Sequence, residues 1–136
     1  MPELPEIETL VRELREALQG ETIRRAEILN ESILEAGAKE LGSEIQGKEI
    51  LQVGRRGKYI RIDLAEGLTL WFHLGMTGQL FLKTPSLSHE PHTHLTLSFV
   101  DSTKQLFYRD VRRFGRIRLT PSDEESLPSG VRRLGP

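Results

Sequence analysis

The 136-residue sequence contains no cysteine, and aromatic residues make up only 6% of it. The lack of cysteine excludes disulfides and metal sites with cysteine ligands. No apolar run approaches the roughly 20 residues that a membrane-spanning helix needs. The N-terminus also lacks the basic and apolar segments of a signal peptide, so we expect a cytoplasmic protein with no membrane partner.

The net charge is only −1, yet the charges are unevenly distributed. Acidic residues concentrate at 3–49 and again at 123–125. Basic residues form two groups, at 55–61 and 109–118. A near-neutral total is therefore compatible with one strongly basic surface, which is typical of a nucleic-acid-binding protein.

The length and the hydrophobic periodicity predict one mostly β domain, residues 1–120. Apolar residues at three- and four-residue spacing predict an amphipathic helix that ends before Gly20, and residues 38–46 predict a short second helix. Short alternating segments separated by turn residues predict strands at 22–30, 48–53, 58–64, 68–74, 79–83, 94–100, 105–109 and 116–120. We expect an α+β fold, a β-sandwich with an N-terminal helix and one short second helix. The polar segment 121–136 reads as the start of a linker.

Pro2 to Glu6 form the first candidate site. Removal of Met1 would expose the nitrogen of Pro2 as an α-amine, a class with a pKa of about 7.7–8.0 against about 10.4 for lysine. Such an amine attacks an aldehyde-like carbon to form a Schiff base, with Glu3 and Glu6 nearby to transfer protons. The same residues are also a good helix start, since proline and glutamate both suit a first turn. Both interpretations stay open on this stretch alone.

The segment GRRGKYI, residues 54–60, contains the second candidate. Lys58 follows two glycines and two arginines at a predicted turn between strands. The functional interpretation is a turn that grips a phosphate, with the lysine directed at a ligand. A solvated basic hairpin is the alternative.

The segment HLGMTG, residues 73–78, and the segment RDVRRFGR, residues 109–116, contain apolar side chains in unusual surroundings. Met76 lies between glycines in a predicted turn, and Phe114 follows Arg112 and Arg113. Met76 and Phe114 are suited to fill a gap in a stacked duplex while the arginines hold phosphates or an unpaired base. Burial of either apolar side chain in the core is the alternative.

His89, His92 and His94 follow the pattern H-x-x-H-x-H, which is weak evidence for a metal site, and no cysteine supports one. We expect phosphate contact by one or two of them, or exposure to solvent.

These motifs, in this order, resemble the N-terminal catalytic domain of bacterial formamidopyrimidine-DNA glycosylase, a relative of the endonuclease VIII-like glycosylases. The opening PELPEIET is close to the family signature, and GRRGKYI, HLGMTG and RRFG follow at similar spacing. The resemblance implies a two-layer β-sandwich with flanking helices. It also implies a DNA-repair enzyme that excises oxidised purines, such as 8-oxoguanine and formamidopyrimidines, and cleaves the abasic strand.

The resemblance further assigns roles in catalysis. Pro2 would be the Schiff-base nucleophile, Glu3 the proton-transfer residue and Glu6 its support. Lys58 would contact the phosphate next to the lesion and assist catalysis. If Met1 is retained, the nitrogen of Pro2 is an amide and cannot perform the reaction.

The resemblance also assigns roles in DNA binding. Met76, Arg112 and Phe114 would fill the space left by the flipped nucleotide, with Arg112 facing the widowed cytosine. Arg113 and His92 would contact the backbone. The expected partner is double-stranded DNA carrying oxidised bases or abasic sites, bound by a monomer.

The family continues into a helix–two-turn–helix domain and a four-cysteine zinc finger, which this sequence does not contain. We therefore expect an isolated catalytic domain with no cofactor of its own, weak or inactive alone. Val111 also replaces the family's usual proline after the aspartate, a minor departure. The alternative function is a catalytically silent DNA-binding domain or paralogue.

Overall fold

The computed structural model describes residues 4–35, 40–85, 91–111 and 115–122. Every predicted strand is present, with its ends shifted by a few residues. The helices are α1 (Leu4–Leu18) and α2 (Leu41–Ile45), and the strands are β1 (Ile23–Ile28), β2 (Ile50–Arg56), β3 (Tyr59–Leu64), β4 (Leu68–His73), β5 (Gly78–Lys83), β6 (Thr93–Phe99), β7 (Gln105–Asp110) and β8 (Arg116–Pro121). No helix in these ranges combines the length and hydropathy of a membrane span.

The strands form two four-stranded sheets, with the orders β1-β6-β7-β5 and β2-β3-β4-β8. All pairings within the sheets are antiparallel. The expectation of a mostly β, two-layer sandwich with an N-terminal helix and a short second helix is confirmed.

Alternation along the strands separates the core from the outer faces. On β3, Ile60, Ile62 and Leu64 are buried, whereas Tyr59 and the other intervening side chains are only partly buried. The first sheet contributes side chains such as Leu97 of β6 to the same apolar core. Full burial of one such side chain stabilises the fold by about 1.5–3 kcal/mol. Because alternate side chains of a strand point to opposite faces, the apolar set at every second position decides which face points inward.

Helix α1 packs against β2 with one apolar face. Its residues Ile7, Val11, Leu14 and Leu18 are buried, in keeping with the predicted helical spacing. The Nε of Arg15 donates to the carbonyl of Val53 over 3.0 Å and joins the helix to β2. The start of the helix is therefore fixed relative to the second sheet.

Two connections between the sheets lie at the same end of the sandwich. In one sheet Tyr59 pairs with His73, and His73 pairs with Arg116. In the other sheet Gly78 pairs with Asp110. The chain therefore passes between the sheets twice at this end, from β4 to β5 and from β7 to β8, and we call it the crossover end. The first crossover segment is 74–77, and the second is represented by its described ends, Val111 and Gly115.

Candidate nucleic-acid interface at the crossover end

Lys58 occupies the tip of a tight hairpin at the crossover end. Arg56 pairs with Tyr59, so only Gly57 and Lys58 form the loop between β2 and β3. Gly57 has a φ of +59°, which matches the glycine that a type II′ turn requires at its first central position. The predicted turn is confirmed, and Lys58 is partly buried.

An ion pair ties this hairpin to the start of α1. The Nη2 of Arg55 lies 2.5 Å from Oε1 of Glu8, and its Nη1 donates to the carbonyl of Gly57 over 3.2 Å. One arginine therefore connects the helix with the turn that carries Lys58. Movement of the hairpin away from the helix would break the Arg55–Glu8 ion pair.

Glu6 is an exposed residue of the first turn of α1. It lines a cleft of about 410 Å³ together with Leu74 and Gly78. The structure thus brings Glu6 beside the HLGMTG segment. Pro2 and Glu3 lie outside the described residues.

Met76 projects from the first crossover segment and is 62% exposed. The interpretation of Met76 as a core residue is therefore wrong, and the exposed tip expected from the sequence is present. The turn is tight: the amide of Gly78 donates to the carbonyl of Leu74 over 2.8 Å, and a Cβ on Gly78 would lie only 2.2 Å from the same oxygen. A rigid turn thus presents an apolar side chain to solvent.

Arg112, Arg113 and Phe114 lie outside the described residues, so the choice between a buried and an inserted Phe114 stays open. The point where their segment returns to the sheet is nevertheless defined. A Cβ on Gly115 would stand 1.7 Å from the hydroxyl oxygen of Tyr108, so only glycine fits there.

The histidines differ from one another. His92 is exposed and has a left-handed φ of +61°, which is uncommon for a residue with a side chain. The expectation of phosphate contact or exposure is wrong for His94, which is 6% exposed and whose Nε2 donates to the carbonyl of Asp110 over 2.6 Å. His89 lies outside the described residues. Within the described ranges, no cluster of three potential ligands could hold a metal ion.

Positive charge gathers around His73. Burial lowers the pKa of its imidazole, and Lys58 and Arg116 lower it further, against an opposing effect of Glu35. Glu35 is held by Arg118 over 3.0 Å, and it also contributes, after burial, to raising the pKa of Tyr59. Basic residues from both predicted clusters therefore act on the same end of the sandwich.

Asp110 is a residue that the sequence analysis did not single out. It is fully buried, and its carboxylate accepts hydrogen bonds from the hydroxyl groups of Thr77 and Tyr108 and from the amide of Gly115. Tyr108 and Gly115 lie within five residues of Asp110 in the sequence, whereas Thr77 is 33 residues away. No local pattern signals the contact with Thr77, so only the folded chain shows it.

The crossover end thus displays a helix-start carboxylate, a partly buried lysine, an exposed methionine and an exposed histidine. Lysine and arginine bind phosphates, and an apolar side chain on a rigid turn can enter a gap between bases. This combination is suited to a nucleic acid rather than to a small apolar ligand.

The chain is similar in sequence to proteins of one known family. The profile of the formamidopyrimidine-DNA glycosylase N-terminal domain matches residues 1–117. Formamidopyrimidine-DNA glycosylase of Desulforamulus reducens is 39% identical over 138 residues, which cover 100% of this chain and 50% of the relative. The enzyme of Pelotomaculum thermopropionicum is 41% identical over 136 residues, with 99% and 49% coverage.

The fold is also similar to solved structures of this family. Lactococcus lactis formamidopyrimidine-DNA glycosylase, non-covalently bound to DNA with an abasic site, superposes with a TM-score of 0.83 and 38% identity over 90% of this chain and 46% of that chain. The same enzyme bound to DNA containing a formamidopyrimidine lesion gives the same TM-score. This chain spans about half the length of these relatives. With its motifs grouped at one end of the sandwich, the chain belongs to the formamidopyrimidine-DNA glycosylase N-terminal domain family.

Proposed function

We propose that this chain is the catalytic domain of a DNA glycosylase with abasic-site lyase activity on oxidised purines such as 8-oxoguanine and formamidopyrimidines. The observation that carries the proposal is the grouping of Glu6, the Lys58 turn and the Met76 turn at one end of the sandwich, next to the helix that Pro2 precedes. Double-stranded DNA as partner fits the expected cytoplasmic location, since the relatives are bacterial.

The proposed reagent is the amine of Pro2. On an abasic site, the amine adds to the C1′ aldehyde of the opened sugar, water leaves, and a Schiff base forms. Glu3 transfers the protons and Glu6 supports it, since a carboxylate near the reacting carbon can give and accept protons. Lys58 holds the adjacent phosphate and keeps the strand in register.

The proposed duplex contact is an insertion. Chemistry on a base in a duplex requires extrusion of its nucleotide, which leaves a gap in the stack. Met76, Arg112 and Phe114 fill that gap, and Arg113 and His92 contact the backbone. The exposure of Met76 supports this assignment, because its side chain can enter DNA without leaving the core.

Borohydride trapping on an abasic duplex tests the proposal, because a pre-formed abasic site isolates amine chemistry from base excision. Borohydride reduces the Schiff base to a stable amine, so a covalent protein–DNA adduct marks its formation. Chain with Met1 removed should be trapped, and chain that retains Met1 should not. The variant Pro2→Gly keeps a terminal amine and should retain some trapping, whereas N-acetylation should abolish it.

Each result decides between named alternatives. Equal trapping of the Met1-retaining chain would exclude Pro2 and make Lys58 the next candidate. Binding of abasic DNA without any trapping by the processed chain would identify a catalytically silent DNA-binding domain.

A further inference from the structure

We infer that Asp110 is a positioning residue that couples the Met76 turn, through Thr77, to Gly115 before β8, so that Met76 is held in one fixed position when it enters DNA. The role in DNA rests on the proposed function. The mechanical coupling itself concerns the free protein and is tested separately.

The carboxylate of Asp110 holds both segments directly. One of its oxygens accepts from the Thr77 hydroxyl, next to Met76 in sequence. The other accepts from the amide of Gly115 over 2.8 Å, immediately after Phe114. The same oxygen accepts from the Tyr108 hydroxyl over 3.2 Å.

The backbone of Asp110 holds a third segment. Its amide donates to the carbonyl of His92 over 3.0 Å, and its carbonyl accepts from Nε2 of His94 over 2.6 Å. His92 has the left-handed backbone noted above, and this hydrogen bond helps to hold it. Asp110 therefore contacts the Met76 turn through Thr77, the start of β8 through Gly115, and the segment of His92 through the backbone.

The site cannot adjust to the loss of one contact without moving the others. Asp110 is fully buried, and Gly78 and Gly115 leave no space for even a Cβ. A buried carboxylate that loses a donor pays a large desolvation cost, so its remaining partners must rearrange. Release of Thr77 should therefore loosen Gly115, although the two residues belong to different crossover segments.

Amide hydrogen exchange in the free chain tests this coupling. Thr77→Val removes the hydroxyl at constant shape and should speed exchange at the Gly115 amide by about fivefold, the equivalent of one hydrogen bond. Thr77→Ser keeps the hydroxyl and should leave the Gly115 rate near wild type. The matched control is Thr120→Val, which removes the partner of the Trp71 Nε1 donor elsewhere in the second sheet.

Comparison of the three variants excludes a merely structural effect. If Thr120→Val destabilises the chain as much as Thr77→Val but leaves Gly115 unchanged, the coupling is local and the inference stands. Equal Gly115 rates in Thr77→Val and Thr77→Ser would overturn it.

Fluorescence of 2-aminopurine tests the role in DNA. The probe is placed opposite a tetrahydrofuran abasic analogue at low ionic strength, and protein is titrated to saturation, so that the midpoint gives the affinity and the plateau gives the insertion signal. Insertion by the wild-type chain should unstack the probe and raise its signal. Asp110→Asn and Thr77→Val should weaken binding to this duplex relative to undamaged DNA by roughly tenfold, as expected for loss of a hydrogen bond to a charged group, and Thr120→Val should not.

The outcomes separate the two proposals. A wild-type affinity and plateau signal in both Asp110→Asn and Thr77→Val would overturn the positioning role. An unchanged signal with the wild-type chain would contradict the proposed function and the use of the coupling in DNA, whereas the exchange experiment would still decide the coupling.

Discussion

Gly115 and Tyr108 pack so closely that a Cβ on the glycine would lie 1.7 Å from the tyrosine hydroxyl oxygen. The same Cβ would lie 2.7 Å from the carbonyl oxygen of His73. Both neighbours are parts of strands, so neither can move without disturbing a sheet. The glycine of the RRFG motif is therefore a steric requirement of the fold at the crossover end.

Gly115→Ala should destabilise the chain by about 2–3 kcal/mol or more, because an added methyl group in a filled site forces its neighbours apart. Gly54→Ala is the matched control. The nearest atom to a Cβ at this position would be Cγ of Arg61, at an ordinary contact distance of 3.7 Å. Urea unfolding measures both variants. Tyr108→Phe combined with Gly115→Ala should restore part of the loss, and equal stability of the two glycine variants would contradict the prediction.

Met76→Ala should change the free energy of unfolding by less than about 0.5 kcal/mol, because the side chain is largely exposed. Phe114→Ala should behave alike if Phe114 inserts into DNA, whereas a core phenylalanine would cost about 3–5 kcal/mol. Phe72→Ala, at a fully buried position, supplies the core reference in the same thermal melts. A melting temperature for Phe114→Ala as low as that for Phe72→Ala would identify Phe114 as a core residue.

DNA binding should weaken steeply with salt, and Lys58→Ala should reduce the log–log slope by about 0.9, the value for one lost phosphate contact. Fluorescence anisotropy on an abasic duplex at several salt concentrations measures the slope. Lys104→Ala is the control. Lys104 lies just before the first residue of β7, whereas the crossover end is at the last residue of the same strand, Asp110. An unchanged slope for Lys58→Ala, or nanomolar binding that ignores salt, would exclude the proposed phosphate contact.

The stability of the chain should fall as the pH drops below about 6.5, in part because of His73. Burial and the neighbouring cations lower the pKa of this imidazole in the folded chain. His73 therefore binds a proton more readily in the unfolded chain than in the folded chain. Its contribution to the free energy of unfolding is present above the unfolded pKa of about 6.5 and is lost as the pH falls through the lower pKa of the folded chain. Urea unfolding at pH 7.5 and pH 5.5 should show a smaller difference for His73→Gln than for wild type. An equal difference would exclude His73 as a source of this dependence.

The sequence alone was enough to predict the N-terminal helix and the eight strands described above. The alternation of Ile60 and Ile62 with Tyr59 and Arg61 reflects a local rule, because neighbouring side chains on a strand point to opposite faces. The tight turn at Gly57 and Lys58 also follows from local backbone preferences. Motif order alone was likewise enough to indicate the family.

Only the tertiary structure decided which side chains share the crossover end and what holds them there. His94 looked like its neighbour His92 in the sequence, yet it is buried, because β6 turns it toward the carbonyl of Asp110. The sequence did not indicate that Asp110 contacts Thr77, since the two residues are 33 positions apart and belong to different strands or turns of the sheet. Periodicity reports on which face a residue occupies, whereas hydrogen bonds between distant segments depend on how the two sheets are connected.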